Sequence, residues 1–142
     1  MLFHIARTLE QGVKQKPVDG AIGPADSKLV VLAGHDTNLA GVAALLGLHW
    51  TLDGRKDDTP PGSELAFELW QDAHGSYSVR VNVAMQTLRQ LRDMPALTPA
   101  APPAHTALTL PGCAAGVCAW DDFQRIADAA VDLDEVLPVY PN

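Results

Sequence analysis

The sequence is short of basic residues, short of cysteine and without a long apolar run, and each shortage excludes something. Ten Lys and Arg stand against 17 Asp and Glu, a formal net charge of −7. That balance argues against a nucleic-acid or anionic-membrane surface. It does not argue against small anionic substrates, because a local pocket can be basic in an acidic chain. No stretch reaches the ~18 to 20 consecutive apolar residues that span a bilayer. The opening "MLFHIARTLEQGVKQK" has neither the basic head nor the unbroken apolar stretch of a secretory signal. No internal repeat is present. The two cysteines, Cys113 and Cys118, lie close together in "PGCAAGVC". A zinc site would need two more soft ligands at matching spacing, and none is near. The expectation is a Cys113–Cys118 disulfide, suited to an oxidising compartment, with a pair of reduced thiols as the alternative that the spacing also fits.

What remains is 142 residues that are 47% apolar, the size and composition of one globular domain. Leu2, Ile5, Ala6, Leu9 and Val13 fall on one helical stripe, with Arg7, Glu10 and Gln11 off it. No Ser, Thr, Asp or Asn precedes that helix to cap it. "KPVDGAIGPADS" is a loop by composition. "KLVVLA" is a short unbroken apolar run, the pattern of a strand buried on both faces. Asp36, Thr37 and Asn38 are good N-cap residues, "LAGVAALLG" follows at helical spacing, and Gly47 is its stop. A strand-turn-helix unit is therefore expected at residues 28–47, the building block of an α/β fold. After the polar loop "WTLDGRKDDTPPGS", the segments "ELAFELW" and "YSVRVNVAM" both alternate, which predicts an antiparallel hairpin at about 64–86. "PALTPAAPPAHTA" is expected to run extended over a surface. "WDDFQRIADAAV" reads as a last helix with Asp121 and Asp122 in its first turn. The tail "DLDEVLPVYPN" reads as a loose segment or an edge cover.

The chemistry concentrates at "GHDTN", where His35 and Asp36 follow the expected strand and open the helix. α/β folds bind ligands at the carboxyl ends of their strands. A helix N-terminus presents unpaired N–H groups and a partial positive charge to an anion. An imidazole adds a directional donor, and a carboxyl beside it can give or take a proton. Phosphate-ester cleavage needs both capacities. A helix N-terminus favours an ionised carboxyl by roughly 0.3 to 1 kcal/mol, which works against proton donation. A bound phosphate works the other way, because two anions in one pocket disfavour each other's charge. The expectation is a donor armed by its substrate and most effective in acid. From spacing alone, capping by Asp36 or Asn38 with a hydrogen-bonded turn at His35 is the favoured account of the pair.

A resemblance adds weight to the chemical reading. "GHDTNLA", then "WTL", then "DDTPPGSELAFELW", and further on "VAMQTLRQLRDM", "LTLPGC" and the second cysteine, resemble the C-terminal half of the histidine acid phosphatases. The branch resembled includes bacterial periplasmic phytases and glucose-1-phosphatases. The resemblance runs in order through nearly the whole chain. It implies an α/β sandwich, a central mixed sheet flanked by helices, with the His-Asp dipeptide at the mouth of the sheet. It implies that His35 contacts the phosphate and that Asp36 protonates the leaving alcohol. Thr37 would help hold the phosphate or the turn, and Asn38 would be structural. Glu64 and Glu68 are read as strand and turn residues, Trp50 and Trp70 as packing. The partner implied is a small-molecule phosphate ester, with no nucleic acid, membrane, cofactor or metal.

The family's nucleophile is a histidine in an RHG-x-R-x-P motif, and no RHG occurs in these 142 residues. His4, His49, His74 and His105 lack that context. The expectation is a C-terminal segment of the phosphatase domain over residues 1–142 without the N-terminal catalytic half, inactive alone. The full-length enzyme would then be periplasmic or secreted. The family's last cysteine has no counterpart in "LPVYPN". A metal-dependent HD-type phosphohydrolase is disfavoured, because the other histidines show no ligand spacing.

Overall fold

Alternation and helical spacing together build one layered unit, seen in a computed structural model that describes residues 1–114 and 116–136. In chain order it runs α1 (Leu2–Lys14), α2 (Asp36–Leu45, with Leu46 as its C-cap), β1 (Thr51–Leu52), β2 (Arg55–Lys56), β3 (Glu64–Gln71), β4 (Tyr77–Met85), α3 (Leu88–Asp93), β5 (Ala104–Leu108), β6 (Cys118–Ala119) and α4 (Trp120–Ala130), then a short 3-10 turn. Residues 137–142, most of the tail expected to be loose or an edge cover, lie outside the described residues.

The expected hairpin is β3 and β4, antiparallel from Glu64 opposite Ala84 to Gln71 opposite Tyr77. Strand β4 is central. On its other edge it pairs with β5 along Val81–Met85 and with β6 along Ser78–Val79. Alternation decides its two faces: Val79, Val81, Val83 and Met85 are buried, while Arg80 between them is exposed. Phe123 of α4 is fully buried, its ring tilted against Phe67 of β3 and Trp120, with centroids 6.2 and 5.9 Å apart. Leu2 of α1 and Val42, Ala43 and Leu46 of α2 join the same core. Helix α2 is followed by Gly47 at φ +62, the left-handed conformation that a helix end needs.

Three expectations need correction. First, residues 28–33 form no strand: none of them pairs with another among the described residues, and Leu29 and Val31 are 80% and 76% exposed. A strand covered on both faces needs neighbours along its edges and layers above and below. The described sheet consists of β3, β4, β5 and β6 and offers this segment neither. The helical half of the strand-turn-helix unit is present as α2.

Second, Glu10 and Gln11, placed off the apolar stripe, are both buried. The loop after α1 folds back onto Gln11 and Thr8. The Gln11 amide donates to the Gly23 carbonyl at 2.9 Å and accepts from the Val18 N–H at 3.2 Å, and the Thr8 hydroxyl accepts from the Ile22 N–H. Glu10 is held by Arg7 at 2.6 Å and by Lys14. Burial pushes its carboxyl up, but the hydrogen bonds and charges of Lys14 and Arg7 outweigh that and hold it below the ordinary value.

Third, the stretch read as extended surface chain ends in a true strand, β5, which brings Leu108 into the core. The β1–β2 hairpin, α3 and the short strand β6 were not expected at all. The β1–β2 hairpin turns on Asp53–Gly54, and α3 is capped by Thr87.

Cys113 and Cys118 form a disulfide that ties the chain leaving β5 to the start of β6. Closing so short a loop stabilises by about 2 kcal/mol through the unfolded state. Replacing both cysteines by serine is expected to lower the urea midpoint accordingly. Adding a reductant to the native chain should reproduce the loss, and the double variant should no longer respond to it.

Candidate active site

Helix α2 has a short polar entrance. His35 is the N-cap residue, with extended backbone at φ −110 and ψ 169; Asp36 opens the helix, and Thr37 and Asn38 follow. His35, Asp36 and Thr37 are exposed, Asn38 half-buried. The His35 N–H donates to Asn38 Oδ1 at 2.8 Å. The Thr37 N–H donates to Asp36 Oδ1 at 2.7 Å. The Asn38 N–H donates to the His35 carbonyl at 2.9 Å. Three amide donors at this helix start therefore already have partners. Attraction for an anion falls on the imidazole and on the field of the helix rather than on a cradle of free amides. Asp36 is held by one oxygen, and Oδ2 has no hydrogen bond within the described residues. A proton carried on Oδ2 could be handed outward without disturbing the turn.

The expected setting, a cleft at the tip of a central strand, is not present in these residues. The segment preceding His35 is not a strand, and neither of two surface hollows includes residues 35–37. A hollow of about 600 Å³ lies on the face of the sheet that Arg80 occupies and includes Glu64, Glu68 and His105. Another, of about 240 Å³, lies between α1 and α4. The dipeptide stands on open surface.

The other singled-out residues are dispersed. Trp50 is buried, and its indole donates to the Asp58 carbonyl at 3.1 Å. Trp70, read as packing, is 47% exposed; the Arg80 guanidinium lies 4.2 Å over its ring and its N–H donates to Glu68. Glu64 and Glu68 both lie on β3. His4 bonds the Gly20 carbonyl. His49 pairs with Asp57 at 2.9 Å. The Trp50 N–H, and after it His49, hold the Asp57 carboxyl below its ordinary value. Among the described residues no three His, Cys, Asp or Glu side chains are grouped to hold a metal. Sequence reasoning did not assign Gly34 or connect it to Asn38. The signal was there, since a short acceptor three residues past an N-cap is the pattern of a capping box.

Comparison with known proteins places these features in a family setting. The model of the histidine phosphatase superfamily, branch 2, matches residues 2–84. The chain is 41% identical to phytase AppA of Escherichia coli (strain K12) over 121 residues, covering 82% of this chain and 28% of that protein. It is 32% identical to a glucose-1-phosphatase of Providencia rettgeri over 111 residues, covering 75% and 27%. Among solved structures, the apo form of Hafnia alvei phytase superposes with a TM-score of 0.81 at 39% identity, covering 96% of this chain and 34% of that one. The same phytase in complex with tartrate gives 0.79, covering 94% and 34%. The chain thus spans about a third or less of the length of these relatives.

Proposed function

The chain belongs to branch 2 of the histidine phosphatase superfamily, and on that premise we propose that it carries the proton-donating half of an acid phosphatase site. The substrate is a phosphomonoester of the phytate or sugar-phosphate class. The observation that carries this reading is the dipeptide itself: His35 and Asp36 side by side, exposed, at the start of a ten-residue helix, with one Asp36 oxygen fixed and the other free. The names of the relatives support the substrate class, phytase and glucose-1-phosphatase. So does the solved complex of Hafnia alvei phytase with myo-inositol hexakis sulphate, matched at 36% identity.

In this reading a nucleophilic histidine attacks phosphorus, the bond from phosphorus to the alcohol oxygen breaks, and Asp36 gives its proton to that oxygen. His35 holds a phosphoryl oxygen, and Thr37 supports the phosphate or the turn. Water then attacks phosphorus, and the bond from phosphorus to the histidine nitrogen breaks. Phosphate and the free imidazole are released, and the Asp36 carboxylate takes the proton from the water. The first histidine lies outside these 142 residues, which contain no RHG motif. The disulfide supports a periplasmic or secreted enzyme.

A second reading, binding of phosphate or a partner without turnover, is favoured by that missing motif. An in-frame RHG-x-R-x-P segment in the DNA preceding this stretch decides for the enzyme; a frame closed by stop codons decides for the binding segment. The purified 142-residue chain is expected to hydrolyse p-nitrophenyl phosphate at acid pH no faster than background. Clear turnover abolished by Asp36→Ala would overturn the account of where the nucleophile lies.

A further inference from the structure

We infer that Asn38, with the space left by Gly34, is the positioning residue that sets the orientation of His35 relative to Asp36. The inference rests on the phosphatase reading of the dipeptide and adds a role to a residue otherwise read as structural.

The chain changes conformation between the two functional residues. His35 is extended, and Asp36 is the first helical residue. The relative direction of imidazole and carboxyl depends on the rotations at that joint, ψ of His35 and φ of Asp36. Both side chains are exposed, so packing does not fix them. The bond from the His35 N–H to Asn38 Oδ1, at 2.8 Å, bridges the joint. It closes a ring that starts on the extended side, passes through both rotatable bonds and returns from the first helical turn. The Asn38 N–H to the His35 carbonyl, at 2.9 Å, closes a second ring that contains φ of Asp36 but not ψ of His35. It is therefore the Asn38 side chain that holds ψ of His35. Asn38 is the half-buried member of an otherwise exposed tetrad, so its side chain has less freedom than those it steers.

Gly34 accounts for how the bond is possible. A Cβ built on Gly34 would lie 2.8 Å from Asn38 Oδ1 and 3.3 Å from Asn38 Cβ, inside contact distance. Gly34 is not among the glycines with positive φ. What the position requires is therefore the missing side chain, not backbone freedom. Gly34 and Asn38 form one device, an acceptor and the room it occupies.

The test uses the 142-residue chain, inorganic phosphate as probe and NMR detection of the His35 ring and amide. In the native chain, phosphate should shift the His35 ring resonances at millimolar concentration, and the His35 amide should exchange slowly. Asn38→Leu is expected to remove the amide protection and weaken phosphate binding about 5- to 10-fold, the scale of one hydrogen bond. The ring signals of His49 and His74, remote in sequence, should stay in place, which shows that the fold is intact. Asn38→Asp keeps an acceptor at the same reach and should restore the amide protection. Gly34→Ala, with Asn38 untouched, should lose both protection and affinity, reaching the same state by displacing the acceptor. If Asn38→Leu and Gly34→Ala both bind phosphate within about twofold of the native chain, Asn38 does not position His35 and the inference is wrong, while the phosphatase reading stands. If phosphate leaves the native His35 ring unmoved, the phosphatase reading of the dipeptide fails and takes the inference with it.

Discussion

Asp36→Asn is expected to slow release of an alkyl alcohol by about 10²- to 10⁴-fold, the usual contribution of a general acid. Release of p-nitrophenol should be slowed far less. The assay joins these residues to the RHG-x-R-x-P-bearing part of a phytase relative, so that both halves of the chemistry are in one molecule. The contrast between leaving groups is what makes the experiment specific. An alkoxide is a poor leaving group and needs a proton as its bond to phosphorus breaks. A nitrophenolate departs as its anion and needs almost none. The amide keeps an oxygen that can accept the Thr37 N–H, now at 2.7 Å from Asp36 Oδ1, so the turn survives while the transferable proton is lost. Equal losses for the two leaving groups would show that Asp36 shapes the turn or repels the substrate rather than donating a proton. No loss for either would remove it from the mechanism.

The second large effect concerns stability. Phe123→Ala is expected to cost about 3 to 5 kcal/mol, and a domain of this size rarely has much more than 5 to 15 kcal/mol in total. Phe123 is fully buried where α4 meets the sheet, between Phe67 and Trp120. Truncation removes the aromatic contacts and leaves a void that neither neighbouring ring can fill without tilting. Urea unfolding followed by tryptophan fluorescence should show most of the transition gone at room temperature. Phe123→Leu should recover a good part of it. A loss under about 1 kcal/mol would mean that α4 is held by something other than this aromatic seam.

Much of the fold was readable residue by residue, because alternation and helical spacing report which face is buried. Val79, Val81, Val83 and Met85 alternate in the sequence and are buried in the structure. The spacing of Leu2, Ile5, Ala6 and Leu9 placed α1 on the core. The reading failed where burial depends on segments distant in sequence. Nothing in the spacing of Gln11 says that residues 18 and 23 will return to bond its amide. Nothing in "KLVVLA" says whether sheet neighbours exist, and within these residues they do not. Two misses were local and avoidable. Asp53–Gly54, inside the stretch read as loop, is a strong hairpin turn signal, and Thr87 with Gln90, in a stretch given no structural reading, is a capping box. At the candidate site, the start of α2 was legible from three consecutive cap formers. The capping-box spacing of Asn38 was legible too. The part of Gly34 was not, because spacing does not show that its missing side chain makes room for the Asn38 acceptor.

In the proposed phosphatase reading, the apolar ribbon at Leu29–Ala33, exposed at Leu29 and Val31, ends two positions before His35. A strand that paired along it would shelter the ribbon and wall the place where that reading puts the phosphate, so that completing the sheet and completing the site would be a single event.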